Sequence, residues 1–197
     1  TLKNSSGDMD IISTVATLNV TVDDVQDAVT LNAALKTLNL TTTGEASNIT
    51  LEAAKVETLT IAAGANLNIS TSAAGYATTA LDNVTIKGAG SVNLGVISTA
   101  TGLVSFNASA NTGGVTATIE TEIDAATALT GTITEYVFSA GNDVVTLSND
   151  VIETKITLGA GDDKITLASG TGITDVVATI DGGTGSNTIA MTAADAH

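Results

Sequence analysis

Residues 157–172 read TLGAGDDKITLASGTG. Two short apolar-alternating runs flank a glycine-framed pair of aspartates, Asp162 and Asp163. Alternation at period two is the mark of a half-buried strand, and the Gly-Asp chemistry between is that of a tight turn. The same unit recurs along the chain as apolar, two spacers, apolar, spacer, apolar. It stands as VATLNV at 15–20, LKTLNL at 35–40, VETLTI at 56–61 and LDNVTI at 81–86. Looser copies are TGLVSF at 101–106, ITEYVF at 133–138, ETKITL at 153–158 and DVVATI at 175–180. The start-to-start steps are 20, 21, 25, 20, 32, 20 and 22 residues.

Between successive copies lies a second short run with strand character. These runs are VTL 29–31, NITL 48–51, NLNI 66–69, SVNL 91–94, VTATI 115–119, VVTL 144–147, KITL 164–167 and TIAM 188–191. Each repeat therefore offers two strands and two turns in about twenty residues. That is too short for a strand–helix–strand crossover with a return, and it suits one coil of a parallel β-solenoid. The expected fold is all-β: a parallel β-solenoid (right-handed β-helix or β-roll) of eight to nine coils, forming a rod roughly 40 Å long at about 4.8 Å per coil. An antiparallel sandwich also gives many short strands, but its strands need not share one motif at near-constant spacing. Residues 1–132 read as an irregular part with loops extruded near 71–80 and 120–132, the latter a candidate short helical excursion. Residues 133–196 read as more regular coils continuous with the first part.

Composition agrees with strands of small and β-branched residues. Aromatics make up only 2% of the chain, and the 197 residues contain no proline and no cysteine. Turns must then rest on Gly, Asn, Asp and Ser, and no disulfide or thiolate chemistry is available. Acids number 21 against six bases, all lysine, for a net charge of −15. This argues against nucleic-acid binding and against anionic lipid, and it favours divalent cations as partners. No apolar run is long enough to span a membrane, and no signal peptide is read at Thr1. The chain reads as starting within a coil and stopping soon after one. His197, the only histidine, reads as a tag residue rather than a ligand.

The turns after the main strand grow more regular toward the C-terminus: SAGNDVV at 139–145, GAGDDKI at 159–165 and GGTGSNTI at 182–189. Stacked in a solenoid, Gly141, Gly161 and Gly185 align, and so do Asp143, Asp163 and Asn187. Calcium takes six to eight oxygens, many of them carbonyls, and two stacked turns supply more of these than one.

These turns resemble the nine-residue calcium-binding repeat Gly-Gly-x-Gly-x-Asp-x-apolar-x of RTX proteins. GGTGSNTIA at 182–190 follows it with Asn187 in the Asp place. GAGDDKIT keeps Gly159, Gly161, Asp163 and Ile165, and SAGNDVVT keeps Gly141, Asp143 and Val145. The match covers about 55 residues. In the family the repeats follow every nine residues on both edges; here they recur about every twenty, on one edge. The resemblance implies Ca2+ between Asp143 and Asp163, and a weaker ion between Asp163 and Asn187, with Gly141, Gly159, Gly161, Gly183 and Gly185 shaping the turns. Asp162 and Asp181 are secondary candidates. Asp8 and Asp10 lie in a degenerate copy, and Asp150 and Asp175 lie on the opposite edge.

Catalysis is not expected. There is no arginine, the lysines are scattered, and adjacent acids such as Asp23 with Asp24 or Glu120 with Glu122 read as solvated loops. Threonine-rich strands suggest an ice-binding face, but the spacer residues vary too much for a regular lattice match. The texture resembles the RTX-type surface-layer proteins of Gram-negative bacteria. That resemblance implies a non-enzymatic segment of a longer chain, secreted by the type I route to the cell surface. It also implies self-association into a calcium-dependent lattice, contacts with neighbouring domains, and lipopolysaccharide binding through another region. A secreted adhesin, or a calcium-dependent folding module attached to an enzyme, is the alternative.

Overall fold

The computed structural model describes residues 1–12, 14–31, 35–52, 55–70, 80–99, 103–121, 135–148, 155–168 and 179–191. Eighteen strands alternate between two sheets. The odd-numbered set comprises β1 (Leu2–Ser5), β3 (Thr17–Val25), β5 (Thr37–Thr42), β7 (Thr58–Ala63), β9 (Asn83–Gly88), β11 (Ser105–Asn111), β13 (Glu135–Val137), β15 (Lys155–Thr157) and β17 (Thr179–Asp181). The even-numbered set comprises β2 (Met9–Ile11), β4 (Ala28–Leu31), β6 (Ser47–Glu52), β8 (Leu67–Ser70), β10 (Val92–Thr99), β12 (Val115–Thr121), β14 (Val144–Ser148), β16 (Lys164–Ala168) and β18 (Thr188–Met191). Each set forms one nine-stranded sheet in sequence order. Every ladder is parallel, so the fold is the parallel β-solenoid expected from the repeat and not an antiparallel sandwich.

Register follows the sequence motif. One inward column of the odd sheet runs Leu18, Leu38, Leu59, Val84, Phe106, Tyr136, Ile156, Ile180. A facing column of the even sheet runs Ile97, Ile119, Leu147, Leu167, Met191. Period-two alternation puts these side chains on one face of each strand, and stacking puts each directly above its counterpart. Most are buried, Val84, Ile97 and Ile156 completely. Three of the chain's four aromatic residues gather in one layer. The Phe106 and Phe138 rings lie 5.1 Å apart, and Tyr136 lies 6.2 Å from Phe106 and 6.3 Å from Phe138. They fill the interior where the spacing between motif copies jumps to 32 residues.

The outer faces carry polar ladders. Asn39 Nδ2 donates to Asn19 Oδ1 at 2.7 Å, and Lys155 pairs with Glu135 at 2.7 Å. The first rung, β1 with β2, adds strands where the sequence showed only a degenerate turn copy. Residues 120 and 121, expected in an extruded loop, belong instead to β12, which pairs Glu120 with Ser148. Its remainder, most of the loop near 71–80 and the opposite-edge turns with Asp150 and Asp175 lie outside the described residues. Among the described residues no helix is long and apolar enough to cross a membrane.

Candidate metal centre in the stacked turns

The three glycine–aspartate turns lead from the odd sheet into β14, β16 and β18, and they stack on one edge. Val144 pairs with Lys164 and Lys164 with Thr188, so Asp143, Asp163 and Asn187 stand one above another, one residue earlier. The glycines stack with them. Gly161 adopts φ 126° and Gly185 φ 110°. A Cβ on Gly161 would lie 2.6 Å from the Gly141 carbonyl oxygen, and one on Gly185 would meet the Gly161 carbonyl oxygen. Both positions therefore need glycine twice over, for the positive φ and for the close approach of the coil beneath. Gly159 and Gly183 form a second column over Ser139 by the same kind of contact.

The aspartates point inward. Asp143 is 0% exposed and Asp163 2%. Their column is the continuation of Leu67, Val92 and Val115, so an apolar column turns acidic at Asp143. The reason is the backbone. Where strands give way to turns, carbonyls no longer meet the N–H groups of the next coil, and buried N–H groups need another acceptor. The side chains supply it. Val115 N–H donates to Asp143 Oδ1 at 2.6 Å, Asp143 N–H to Asp163 Oδ1 at 2.9 Å, and Asp163 N–H to Asn187 Oδ1 at 3.0 Å. Each coil is thus stapled to the next through the same position.

An outer ladder runs beside it in the opposite direction. Asp162 N–H donates to Asn142 Oδ1 and Ser186 N–H to Asp162 Oδ1, both at 2.8 Å. Asp162 is therefore an exposed staple. Asp181 caps its own turn, its Oδ1 accepting the Gly183 N–H at 3.0 Å. Asp8 and Asp10 are exposed at the far end of the rod, in and beside β2.

The two inward carboxylates differ. Asp143 accepts the Ser139 hydroxyl at 2.7 Å on Oδ1 and the Ser139 N–H at 2.9 Å on Oδ2, in addition to Val115 N–H. Both of its oxygens are satisfied. Burial still pushes its pKa up to about 6, against the lowering effect of these donors, and the neighbouring Asp163 adds to the rise. Asp163 is also raised by burial and by Asp162, with the Asp143 N–H opposing. Its Oδ2 is buried with no hydrogen-bond partner among the described residues. In the next turn the corresponding atom is Asn187 Nδ2, which donates to the Gly182 carbonyl at 2.5 Å. Ser139 was not legible as a site residue; it occupies the place of Gly159 and Gly183 in the later turns, and a serine there is the one sequence signal of its role.

Among the described residues no group of three or more His, Cys, Asp or Glu is placed to hold a metal. Both oxygens of Asp143 already accept hydrogen bonds, two on Oδ1 and one on Oδ2. Asp163 Oδ2 is the acceptor that a hard cation fits: an anionic oxygen, desolvated and unpaired, in a turn edge rich in backbone carbonyls. Comparison with family models, with curated proteins and with solved structures found no match to this chain.

Proposed function

We propose that this chain is a structural segment of an extracellular bacterial surface layer, a non-catalytic β-solenoid rod that calcium stabilises at its Gly-Asp edge. The observation that carries the reading is the buried, unpaired Asp163 Oδ2 within an unbroken column of stacked turns. An uncompensated buried carboxylate is costly, and a cation removes that cost. Asp163 is the side chain that holds the ion, with the backbone carbonyls around Gly159, Gly161, Gly183 and Gly185 as the remaining protein oxygens. The ion supplies charge neutralisation, not chemistry. Asp143 and Asn187 serve as staples that fix the two neighbouring coils. The rest of the molecule supports a scaffold role: two parallel sheets in strict sequence order, columns of aliphatic side chains, and polar ladders on the outer faces. A net charge of −15 makes self-association dependent on divalent cations, which are plentiful outside the cell.

Calorimetric calcium titration of chelator-treated protein, with electron microscopy of the product, tests this. Saturable binding that an Asp163→Ala change abolishes, followed by ordered sheets or filaments, is the expected result. Absence of binding up to millimolar calcium would falsify the calcium part. Binding without any ordered assembly overturns the lattice part.

A further inference from the structure

The even sheet carries a groove of about 170 Å3 that meets the stacked-turn edge at Asn142. Its lining includes Asn66, Asn68, Asn93, Asn142, Thr116 and Gly114, and no charged residue. That neutrality is unusual in a chain with a net charge of −15. Two rows of the solenoid build it. Asn68, Asn93 and Thr116 stand in register on the outer face of β8, β10 and β12. Asn66 and Asn142 come from the turns just before β8 and β14. Gly114, between these turns, has no side chain and leaves the hollow open.

The amides are oriented before any ligand arrives. Ser91 N–H donates to Asn66 Oδ1 at 2.9 Å, Gly95 N–H to Asn93 Oδ1 at 2.9 Å and Asp162 N–H to Asn142 Oδ1 at 2.8 Å. In each case the amide oxygen is held by the backbone, so the NH2 group, with its two donors, is left to others. Asn68 makes no side-chain hydrogen bond to any described residue. The groove therefore offers several fixed donors, the Thr116 hydroxyl and no charge. A ligand rich in neutral acceptors matches this set, and fixed donors spare the ordering cost of binding. A volume of this size holds about five or six waters, the room of one small ring.

We infer that this groove is a binding site for a neutral glycan, taking one sugar unit through its hydroxyl or acetamido oxygens. The inference stands apart from the calcium reading, since none of Asp143, Asp163 and Asn187 lines the groove, and Asn142 is shared only with the outer ladder. Avidity across several copies would strengthen binding at so open a site.

The test uses the intact chain on an array of neutral and acidic glycans, followed by NMR titration with the best neutral oligosaccharide. Asn68→Ala removes a donor that holds nothing in the fold, and Thr60→Ala on the opposite sheet is the control. The expected result is binding to neutral glycans with shifts confined to the groove, weakened at least tenfold by Asn68→Ala and unchanged by Thr60→Ala. Circular dichroism of both variants must match the parent. Binding to acidic glycans alone, no neutral glycan bound at all, or neutral binding indifferent to Asn68→Ala overturns the inference.

Discussion

Asp163→Asn separates the cost of an unpaired carboxylate from the benefit of a cation. The substitution keeps Oδ1, which accepts the Asp143 N–H at 2.9 Å, and replaces the orphaned oxygen with an NH2 group. The next turn shows what that group does in such a place, because Asn187 Nδ2 donates to the carbonyl of Gly182, five residues earlier. In chelator at pH 8 the parent carries an ionised, desolvated oxygen without a partner. Relieving an unsatisfied buried group is worth about 1–3 kcal/mol. At roughly 2–4 °C per kcal/mol for a chain of this size, Asp163→Asn melts a few degrees higher than the parent without calcium. Calcium reverses the order. A ligand at a hundred times its Kd stabilises the parent by about 2.7 kcal/mol, and the neutral variant gains less. Thermal unfolding of both proteins, with chelator and with excess calcium, gives the four melting temperatures. A variant that melts lower than the parent in chelator refutes the claim that the orphaned oxygen is a cost. A parent whose melting point ignores calcium refutes the cation.

Other outcomes follow from the same geometry. Asp143 has its pKa raised by burial to about 6, so the folded state binds more protons than the unfolded chain between about pH 4 and 6. Without calcium, stability falls as pH rises through that window, and denaturant midpoints measured at pH 4, 5, 6 and 7 check the slope. Gly161→Ala forces a side chain into positive φ and against the Gly141 carbonyl, costing about 1–3 kcal/mol, whereas Gly7→Ala meets nothing within 4 Å and is neutral. Chemical denaturation of the pair measures the difference. Phe106→Ala empties the centre of the aromatic layer and destabilises by about 3–5 kcal/mol, read from the shift of the urea midpoint. Asn39→Ala breaks an exposed rung to Asn19 and changes stability by less than about 0.5 kcal/mol in the same assay.

The repeat of apolar positions determined a great deal by itself. A motif that returns every twenty or so residues, with period two inside it, leaves each coil unable to bury its apolar face except against the next. Strand positions followed: the second runs of the motif fall within β4, β6, β12, β14, β16 and β18, and overlap β8 and β10. The alignment of Gly141, Gly161 and Gly185, and of Asp143, Asp163 and Asn187, also came from spacing alone, because register in a solenoid is simply repeat length. What spacing did not contain is the state of each carboxylate. Asp143 and Asp163 occupy the same place in their repeats, yet one has every oxygen satisfied and the other does not. The difference is at Oδ2: the Ser139 N–H donates to Asp143 Oδ2, with the Ser139 hydroxyl adding a bond to Oδ1, whereas Asp163 Oδ2 receives no such bond in the coil where Gly159 stands in the place of Ser139. These bonds form within one turn, and only its folded shape decides them. Likewise no pattern in the sequence marks Asn66, Asn68, Asn93 and Asn142 as neighbours, since they come from three coils. Periodicity fixes which residues stack; only the folded backbone decides which N–H groups lack a carbonyl, and so which side chains must supply one and which amides are left facing outward.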